Sequence, residues 1–240
     1  MKRIYIALLW LAMVTITACN AIGNPIKGNA IIDWVDFVKI NHKTYNGLYD
    51  AVLADPGVVL RERVVGKVAF RVGDVVTNPE YRTKDGDAAF LEIGTELYEV
   101  EGYKDQSLIA AKDEHAIHGY RLYQVEGSSA WTMKFKDLVM ERVERIEIYK
   151  DNGSNQLLHK VQDGPDIQKF IDILEAGSKT PTYEPKTAQS DPTYYEVVFY
   201  IENQVAAYKL WLAYDGNHYY FSSGDTHAVS SEIGQLIPKS

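Results

Sequence analysis

Two histidines three residues apart, His115 and His118, carry the clearest suggestion of metal chemistry in the chain. They follow the carboxylates of Asp113 and Glu114. Imidazole and carboxylate groups are zinc ligands, and on a helix this spacing would place both rings on one side. Gly119 and the neighbouring strand-like segments favour a loop, and the helical HExxH pattern is absent. We therefore expect an exposed polar hairpin here, with a metal site at His115 and His118 as the alternative.

Glu99 and Glu101 are two acids that would share one face of a strand. Paired acids about 5 to 9 Å apart can cleave glycosidic bonds. Both alternate with Tyr98 and Val100, however, as the polar residues of a half-buried strand do. An ordinary strand with its acids in solvent is therefore the preferred interpretation.

Nucleophilic catalysis finds less support in the sequence. There is no GxSxG elbow and no glycine-rich phosphate loop. His218 and His227 have side chains that can act as bases, but no nearby segment supplies a nucleophile for them. We expect no catalytic residues and no cofactor.

Tyrosine is unusually common, with seventeen in the chain, and many lie between residues 183 and 220. A tyrosine ring is apolar while its hydroxyl forms hydrogen bonds, which suits contact with sugars or peptides. Tyrosine is also typical of plain β-structure. Two pairs of tyrosines are adjacent in the sequence, Tyr194-Tyr195 and Tyr219-Tyr220. Because neighbours on a strand face opposite sides, each pair must turn one ring away from the core. The candidate ligand contacts are Tyr183, Tyr194, Tyr195, Tyr219 and Tyr220.

The first nineteen residues have the anatomy of an export signal. Lys2 and Arg3 precede an apolar run over residues 4–16, and Cys19, the single cysteine, follows Ala18. The run is shorter than the roughly 20 residues that span a bilayer. The segment resembles the lipobox of bacterial lipoproteins. That resemblance implies cleavage before Cys19, lipidation of its sulfur, and attachment to the extracytoplasmic face of the cell membrane.

The charge of the chain excludes one class of partner. Without Lys2 and Arg3, 23 basic residues stand against 33 acidic ones. Nucleic-acid binding requires a basic face that displaces counterions from phosphates, so we expect no nucleic-acid partner. The same acidity disfavours adsorption to anionic lipid, which leaves the lipid anchor as the contact with the membrane.

The first part of the mature chain has the pattern of a small β-rich domain. Residues 19–30 are rich in Gly, Asn and Pro and predict a tether behind the 1–18 signal peptide. Over residues 31–126, short β-branched and aromatic runs alternate with turn residues, as in a small antiparallel β-barrel or sheet. Residues 45–53 are compatible with one short helix. Strands are predicted at 34–38, 64–72, 89–93, 97–101, 108–111 and 120–125.

A change of pattern near residues 127–131 predicts a boundary, followed by an α+β domain over 132–240. A hairpin over residues 143–161 comes first. Asp163, Gly164 and Pro165 then precede apolar residues at helical spacing. Three further strands and a short closing helix give the order β-β-α-β-β-β-α. The predicted fold is therefore mainly β or α+β, with an antiparallel meander and two short helices.

A looser resemblance lies within residues 94–120. Gly94-Thr95-Glu96-Leu97-Tyr98-Glu99-Val100-Glu101-Gly102-Tyr103, with His118-Gly119-Tyr120 after it, is similar to the strand-turn-strand and glycine-tyrosine return of bacterial SH3-like domains. Such domains commonly bind cell-wall peptides. The tryptophan that they often carry between these elements is missing here. The resemblance implies a barrel in this region, and no ligand.

These observations predict a lipid-anchored, extracytoplasmic binding or envelope-interaction module without catalysis. Its partners would be the membrane, through the anchor, and a cell-wall or envelope component. An envelope-polymer hydrolase or metal-dependent enzyme is one alternative, and it requires titratable groups that converge in a pocket. A solute-binding component of a transporter is another, although the sequence has few of the long helices that two α/β lobes need.

Overall fold

The structure is a computed structural model and describes residues 31–138, 142–151, 153, 155–178, 182–188, 190–222 and 225–237. Cys19, the signal peptide and the 19–30 tether lie outside these residues. The described chain divides into two units. One holds residues 31–33 and 75–82 and includes a turn in which the Tyr81 amide donates to the Asn78 carbonyl at 3.0 Å. The other holds residues 34–74 and 83 onward, including every helix and strand given below.

The first sheet has eight strands, and alternating apolar residues from them form its core. The strands are β1 (Phe37–Ile40), β2 (Lys43–Gly47), β4 (Val59–Lys67), β5 (Phe70–Arg71), β6 (Asp87–Ala88), β7 (Glu96–Val100), β8 (Leu108–Lys112) and β9 (Tyr120–Val125). Their spatial order is β4-β7-β8-β9-β2-β1-β6-β5, and every neighbouring pair is antiparallel except β5 and β6.

Local chemistry explains how this sheet turns and bends. Asn41 and His42 connect β1 to β2 with positive φ angles of 51° and 63°, as a two-residue hairpin requires. β4 is irregular, and at Gly66 an added Cβ would stand 2.5 Å from Cγ2 of Ile40 on β1. Gly66 is therefore needed where β4 passes close to β1.

The second sheet has six strands in the order β11-β10-β12-β13-β14-β15, all antiparallel. A further short strand, β3 (Ala51–Leu53), pairs antiparallel with the start of β13. β3 comes from the N-terminal half and so links the two halves of the chain by main-chain hydrogen bonds. The six strands are β10 (Val143–Lys150), β11 (Gln156–Val161), β12 (Thr193–Ile201), β13 (Ala206–Tyr214), β14 (Tyr219–Ser222) and β15 (Thr226–Val229).

Helix α2 (Gly164–Ser178) covers one face of the second sheet, and a shorter helix α1 (Phe135–Leu138) precedes β10. The side chains of α2 that enter the core are Ile167, Phe170, Ile171 and Leu174. Burial of each such side chain contributes roughly 1.5 to 3 kcal/mol. We call this side of the sheet the inner face and the opposite side the outer face. Within the described residues there are also three 3-10 helices: Pro56–Val58, Ile117–Gly119 and Ser231–Gln235.

The predicted fold class is confirmed: the described part of the protein is mainly β, with two α-helices. The predicted order of the C-terminal half is also found, with α1 and β15 as additional elements and a 3-10 helix, Ser231–Gln235, in the place of the closing helix. The boundary near residues 127–131 stays a prediction. Trp131 in that segment packs against core clusters of both sheets.

Two predicted elements are wrong. Residues 45–53 form β2 and β3, not a helix, because both segments find partner strands that complete their hydrogen bonds, β9 for one and β13 for the other. Residues 89–93 form no strand. Ala89 and Leu91 are buried and Leu91 belongs to the core of the first sheet, whereas Phe90 at 39% exposure and Ile93 at 65% face solvent. The run therefore contributes side chains to the core without pairing as a strand.

Candidate ligand-binding surface

Strand alternation decides which tyrosines of the C-terminal half reach solvent. On β12, Tyr195 points to the inner face and is 5% exposed, while Tyr194 points to the outer face and is 44% exposed. On β14, Tyr219 packs against the inner core and its ring lies 4.6 Å from that of Tyr214. Tyr220 is the half-buried neighbour on the outer face. Tyr195 and Tyr219 therefore stabilise the core, and Tyr194 and Tyr220 are available at the surface.

The outer rings gather around one small residue. Tyr194 and Tyr220 lie on either side of Ala213 in the register of β12, β13 and β14. Burial and a hydrogen bond with Tyr194 raise the pKa of Tyr220 to about 12. Tyr183 extends the group, with its ring centroid 5.7 Å from that of Tyr220.

Trp211 adds a fourth ring that the sequence analysis missed. It lies on β13 two residues before Ala213, on the same face, and is 39% exposed. Its position between Leu210 and Leu212 was the available signal, because a tryptophan that alternates with two buried leucines must point away from their core. We call Tyr183, Tyr194, Trp211 and Tyr220 the aromatic platform.

Asp215 holds one edge of the platform in place. Its carboxylate accepts hydrogen bonds from the Tyr183 hydroxyl at 2.6 Å and from the backbone amides of Lys186 at 2.9 Å, Asn217 at 2.9 Å and His218 at 2.8 Å. Burial opposes its ionisation, but these bonds prevail and hold the pKa of Asp215 well below its usual range. The same hydrogen bond raises the pKa of Tyr183 to about 12. Asp215 is therefore a charged anchor for the Tyr183 loop.

An ion pair borders the other side of the platform. Lys209 Nζ lies 2.6 Å from Glu196 Oε1 and 4.5 Å from the centroid of the Trp211 ring. Both charged side chains are largely buried, at 14% and 12% exposure. They line a cleft of about 210 Å³ together with Trp211 and Tyr49, whose ring is 51% exposed. The platform thus continues into a small cleft that offers charge and further aromatic surface.

The two candidate metal ligands have different surroundings. The His115 side chain is 75% exposed beside Glu114 and also lines the small cleft. His118 Nδ1 lies 2.7 Å from the Leu53 carbonyl, and its Nε2 lies 3.4 Å from the Tyr200 hydroxyl. Across the part of the chain that the structure describes, no group of three or more His, Cys, Asp or Glu side chains is arranged to hold a metal ion. The structure does not bring these two histidines together with a carboxylate.

Four other candidate acids and bases were predicted from the sequence: Glu99, Glu101, His218 and His227. They lie apart from one another or contact other side chains. The prediction that the Glu99 side chain lies in solvent is wrong. Glu99 is 9% exposed and is paired with Arg63 at 2.9 Å. Glu101 lies in the exposed turn after β7. His218 Nδ1 lies 3.3 Å from the Tyr183 hydroxyl, and the His227 ring lies 5.7 Å from Phe221.

Comparisons with known proteins assign the chain to no family, so the interpretation of its function rests on the fold and on the aromatic platform. No family model matches the chain, and no curated protein or solved structure shows significant similarity to it. Within the described ranges, none of the helices has the length and apolar character needed to cross a bilayer.

Proposed function

We propose that the protein is a lipid-anchored, extracytoplasmic binding module that holds an envelope component against its aromatic platform without chemical conversion. The observation that carries this proposal is the platform itself. Tyr194 and Trp211 expose 44% and 39% of their surface on one sheet face. Their strands have a complete core on the opposite face, so the exposed rings are not needed to close it.

The proposed location rests on Cys19 and the segment before it. A diacylglyceryl group on its sulfur, with a further acyl chain, would hold the protein firmly, since each buried methylene contributes about 0.8 kcal/mol. Residues 19–30 would then tether the folded part. The protein would lie on the outer side of the cell membrane and reach envelope material from there.

The platform favours the face of a sugar ring as its ligand. Tyrosine and tryptophan rings present apolar faces, and their hydroxyl and indole groups also form hydrogen bonds. Tyr194 and Tyr220 flank the small Ala213, hydrogen-bond to each other and leave Ala213 only 4% exposed, so the two rings together cover this part of the sheet face. The acidic charge of the whole chain repels anionic polymers. A neutral glycan of the envelope fits these properties best.

The charged groups beside the platform support binding in preference to hydrolysis. A general acid must carry a proton near neutral pH. The pKa of Asp215 is held far below that range by four hydrogen bonds. Asp215 is therefore not suited to protonate a leaving group. Glu196 is paired with Lys209.

A titration with a neutral oligosaccharide tests this proposal. The full-length chain in detergent is titrated with the tetramer of N-acetylglucosamine, and tryptophan fluorescence reports binding. We expect a saturable change for the wild type and at least a tenfold weaker affinity for Trp211→Phe and for Tyr194→Ala, judged by calorimetry. Phe90→Ala is the matched control, because Phe90 is also 39% exposed and belongs to the other half of the chain.

Three results would contradict the proposal. One is the absence of any saturable binding to this glycan or to purified peptidoglycan. Another is an equal loss of affinity in the Phe90→Ala control. The third is cleavage of the oligosaccharide, detected by mass spectrometry, which would establish an envelope hydrolase instead.

A further inference from the structure

The outer face of the second sheet carries a second concave site, far from the aromatic platform. It has a volume of about 510 Å³. Its residue Arg145 lies opposite Tyr200 in the register of β10 and β12, and Tyr200 is six residues, or about 20 Å, from Tyr194 along β12. We call this site the Arg145 pocket; its polar and apolar lining includes His118, Arg145, Glu147, Tyr149, Leu157 and Lys160.

Arg145 is held rigidly at this site. Its guanidinium carbon lies 3.6 Å from the centroid of the Tyr200 ring, and its Nε donates to Glu147 Oε1 at 3.2 Å. Tyr200 is itself only 1% exposed. An arginine fixed by stacking and by its Nε loses less side-chain entropy when its two terminal nitrogens bind a ligand. Those nitrogens have no hydrogen-bond acceptor among the described residues.

The buried acid of the pocket, Glu147, has already used its acceptor capacity. Glu147, 2% exposed, accepts from Arg145, from Tyr149 at 2.6 Å and from Lys160 at 2.7 Å. The Tyr200 hydroxyl is a further partner of this carboxylate. At the rim, Asp55 accepts from the Gly57 amide at 2.7 Å and caps a 3-10 helix.

The bases, in contrast, have donors to spare. Arg145 keeps four terminal N–H groups, and Lys160 uses one donor on Glu147 while its side chain is 47% exposed. His118 forms one wall and is fixed there because its Nδ1–H donates to the Leu53 carbonyl. The pocket thus offers two positively charged side chains with free donors, and its buried carboxylate is fully engaged, which is the arrangement of an anion site.

We propose that the Arg145 pocket binds a carboxylate group of a small molecule or peptide. The planar fork of an arginine matches a carboxylate in two parallel hydrogen bonds, and the Lys160 ammonium lies beside it. Two cations, Arg145 and Lys160, face two carboxylates, Glu147 and Asp55, so the pocket has little excess charge. A single negative charge is therefore accommodated better than the double charge of phosphate. This inference is independent of the glycan binding proposed for the platform.

Arginine-selective NMR of the full-length chain in detergent tests this inference. Nε–H resonances are recorded during titration with acetyl-alanine, with acetyl-alanine amide and with inorganic phosphate, all at constant ionic strength. We expect the acid to shift the Arg145 signal saturably at millimolar concentration and the uncharged amide to leave it unchanged. Phosphate should bind at least threefold more weakly. The Arg145→Gln variant identifies the signal.

Two variants separate recognition from folding. Lys160→Gln should weaken binding of the acid at least threefold while the Arg145 signal remains observable. This variant therefore tests recognition of the acid even if Arg145→Gln does not fold. Arg142→Gln is the control, because Arg142 is 78% exposed and paired with Glu202. The inference is overturned if acid and amide act alike, if all arginines shift together, if phosphate binds more tightly than the acid, or if Lys160→Gln and Arg142→Gln have equal effects.

Discussion

At the scale of single residues, Cys19 carries the proposed location of the protein, because it is the only cysteine in the chain. Under that proposal, Cys19→Ser removes the acceptor of the lipid. We expect the protein to move from the membrane fraction to a soluble extracytoplasmic fraction, as judged by cell fractionation and immunoblotting. A matched Ser128→Ala variant should remain with the membrane. Unchanged membrane association of Cys19→Ser would disprove the anchor.

Glu147 makes stability depend on pH. Burial disfavours its charge, but hydrogen bonds from Lys160, Tyr149 and Tyr200 prevail and lower its pKa to about 2. The unfolded chain therefore takes up the proton more readily than the folded one. The stabilising contribution is fully present above about pH 5 and is lost as the pH falls toward 2; from the shift it amounts to about 3 kcal/mol.

The variant Glu147→Gln tests this linkage. We expect its free energy of unfolding, measured by urea titration, to be about 3 kcal/mol lower than that of the wild type at pH 7. The difference should shrink as the pH is lowered through 4 to 3. Glu202→Gln, at an exposed ion pair with Arg142, should change stability by less than about 1 kcal/mol. A gap that stays constant between pH 7 and pH 3 would contradict the assignment.

At the scale of elements, strand alternation and helix packing position both outer-face sites. The inner face of the second sheet is closed by α2, and only for that reason are the Tyr194 and Trp211 side chains left at the surface. The fit of α2 depends on Gly177. An added Cβ there would stand 2.4 Å from Cγ1 of Val229 and 3.0 Å from the Ala228 carbonyl oxygen on β15.

Gly177→Ala should therefore destabilise the protein although alanine favours helices. The clash costs about 1 to 3 kcal/mol, which outweighs a gain of about 1 kcal/mol in helix propensity. Gly164→Ala at the other end of α2 is the control, because an added Cβ there meets nothing within 4 Å. Thermal denaturation should show a lower midpoint for the first variant only. Equal midpoints would show that α2 and β15 separate readily.

At the scale of the whole molecule, the two halves are linked by more than the chain between them. β3 from the N-terminal half hydrogen-bonds to β13, with Ala207 opposite Val52. Trp131 contributes to the cores of both sheets, and its indole N–H donates to Asp50 at 3.3 Å. These contacts are independent of an intact peptide bond at Gly127, which is exposed.

Limited proteolysis should consequently cut near residues 127–131 and leave the two fragments together. Denaturing gels should show two products, while size-exclusion chromatography under native conditions should show one particle. A Val52→Pro variant, which removes an amide from β3, should allow the fragments to separate. Resistance of this segment to protease would disprove the boundary, and separation of the wild-type fragments would show that β3 holds them weakly.

Local patterns in the sequence determined much of the C-terminal half. The helix after Asp163, the hairpin before it and the opposite orientations of Tyr194 and Tyr195 follow from periodicities and turn residues that act over a few positions. The acidic charge and the resemblance of the first nineteen residues to a lipoprotein signal likewise need no folded structure to be recognised. Such features are encoded locally because main-chain geometry sets the side-chain period.

Only the tertiary structure decided which distant residues meet. His118 and Tyr200 are 82 positions apart, and no local pattern relates them. Residues 51–53 were predicted as part of a helix because a local sequence pattern contains no information about their partner strand, which begins at Ala206. Exposure of Trp211 likewise depends on which face α2 covers. Strand pairing between remote segments completes the hydrogen bonds of buried polar groups, and packing between them removes apolar surface from water. Both candidate sites on the outer face therefore form only when the whole chain has folded.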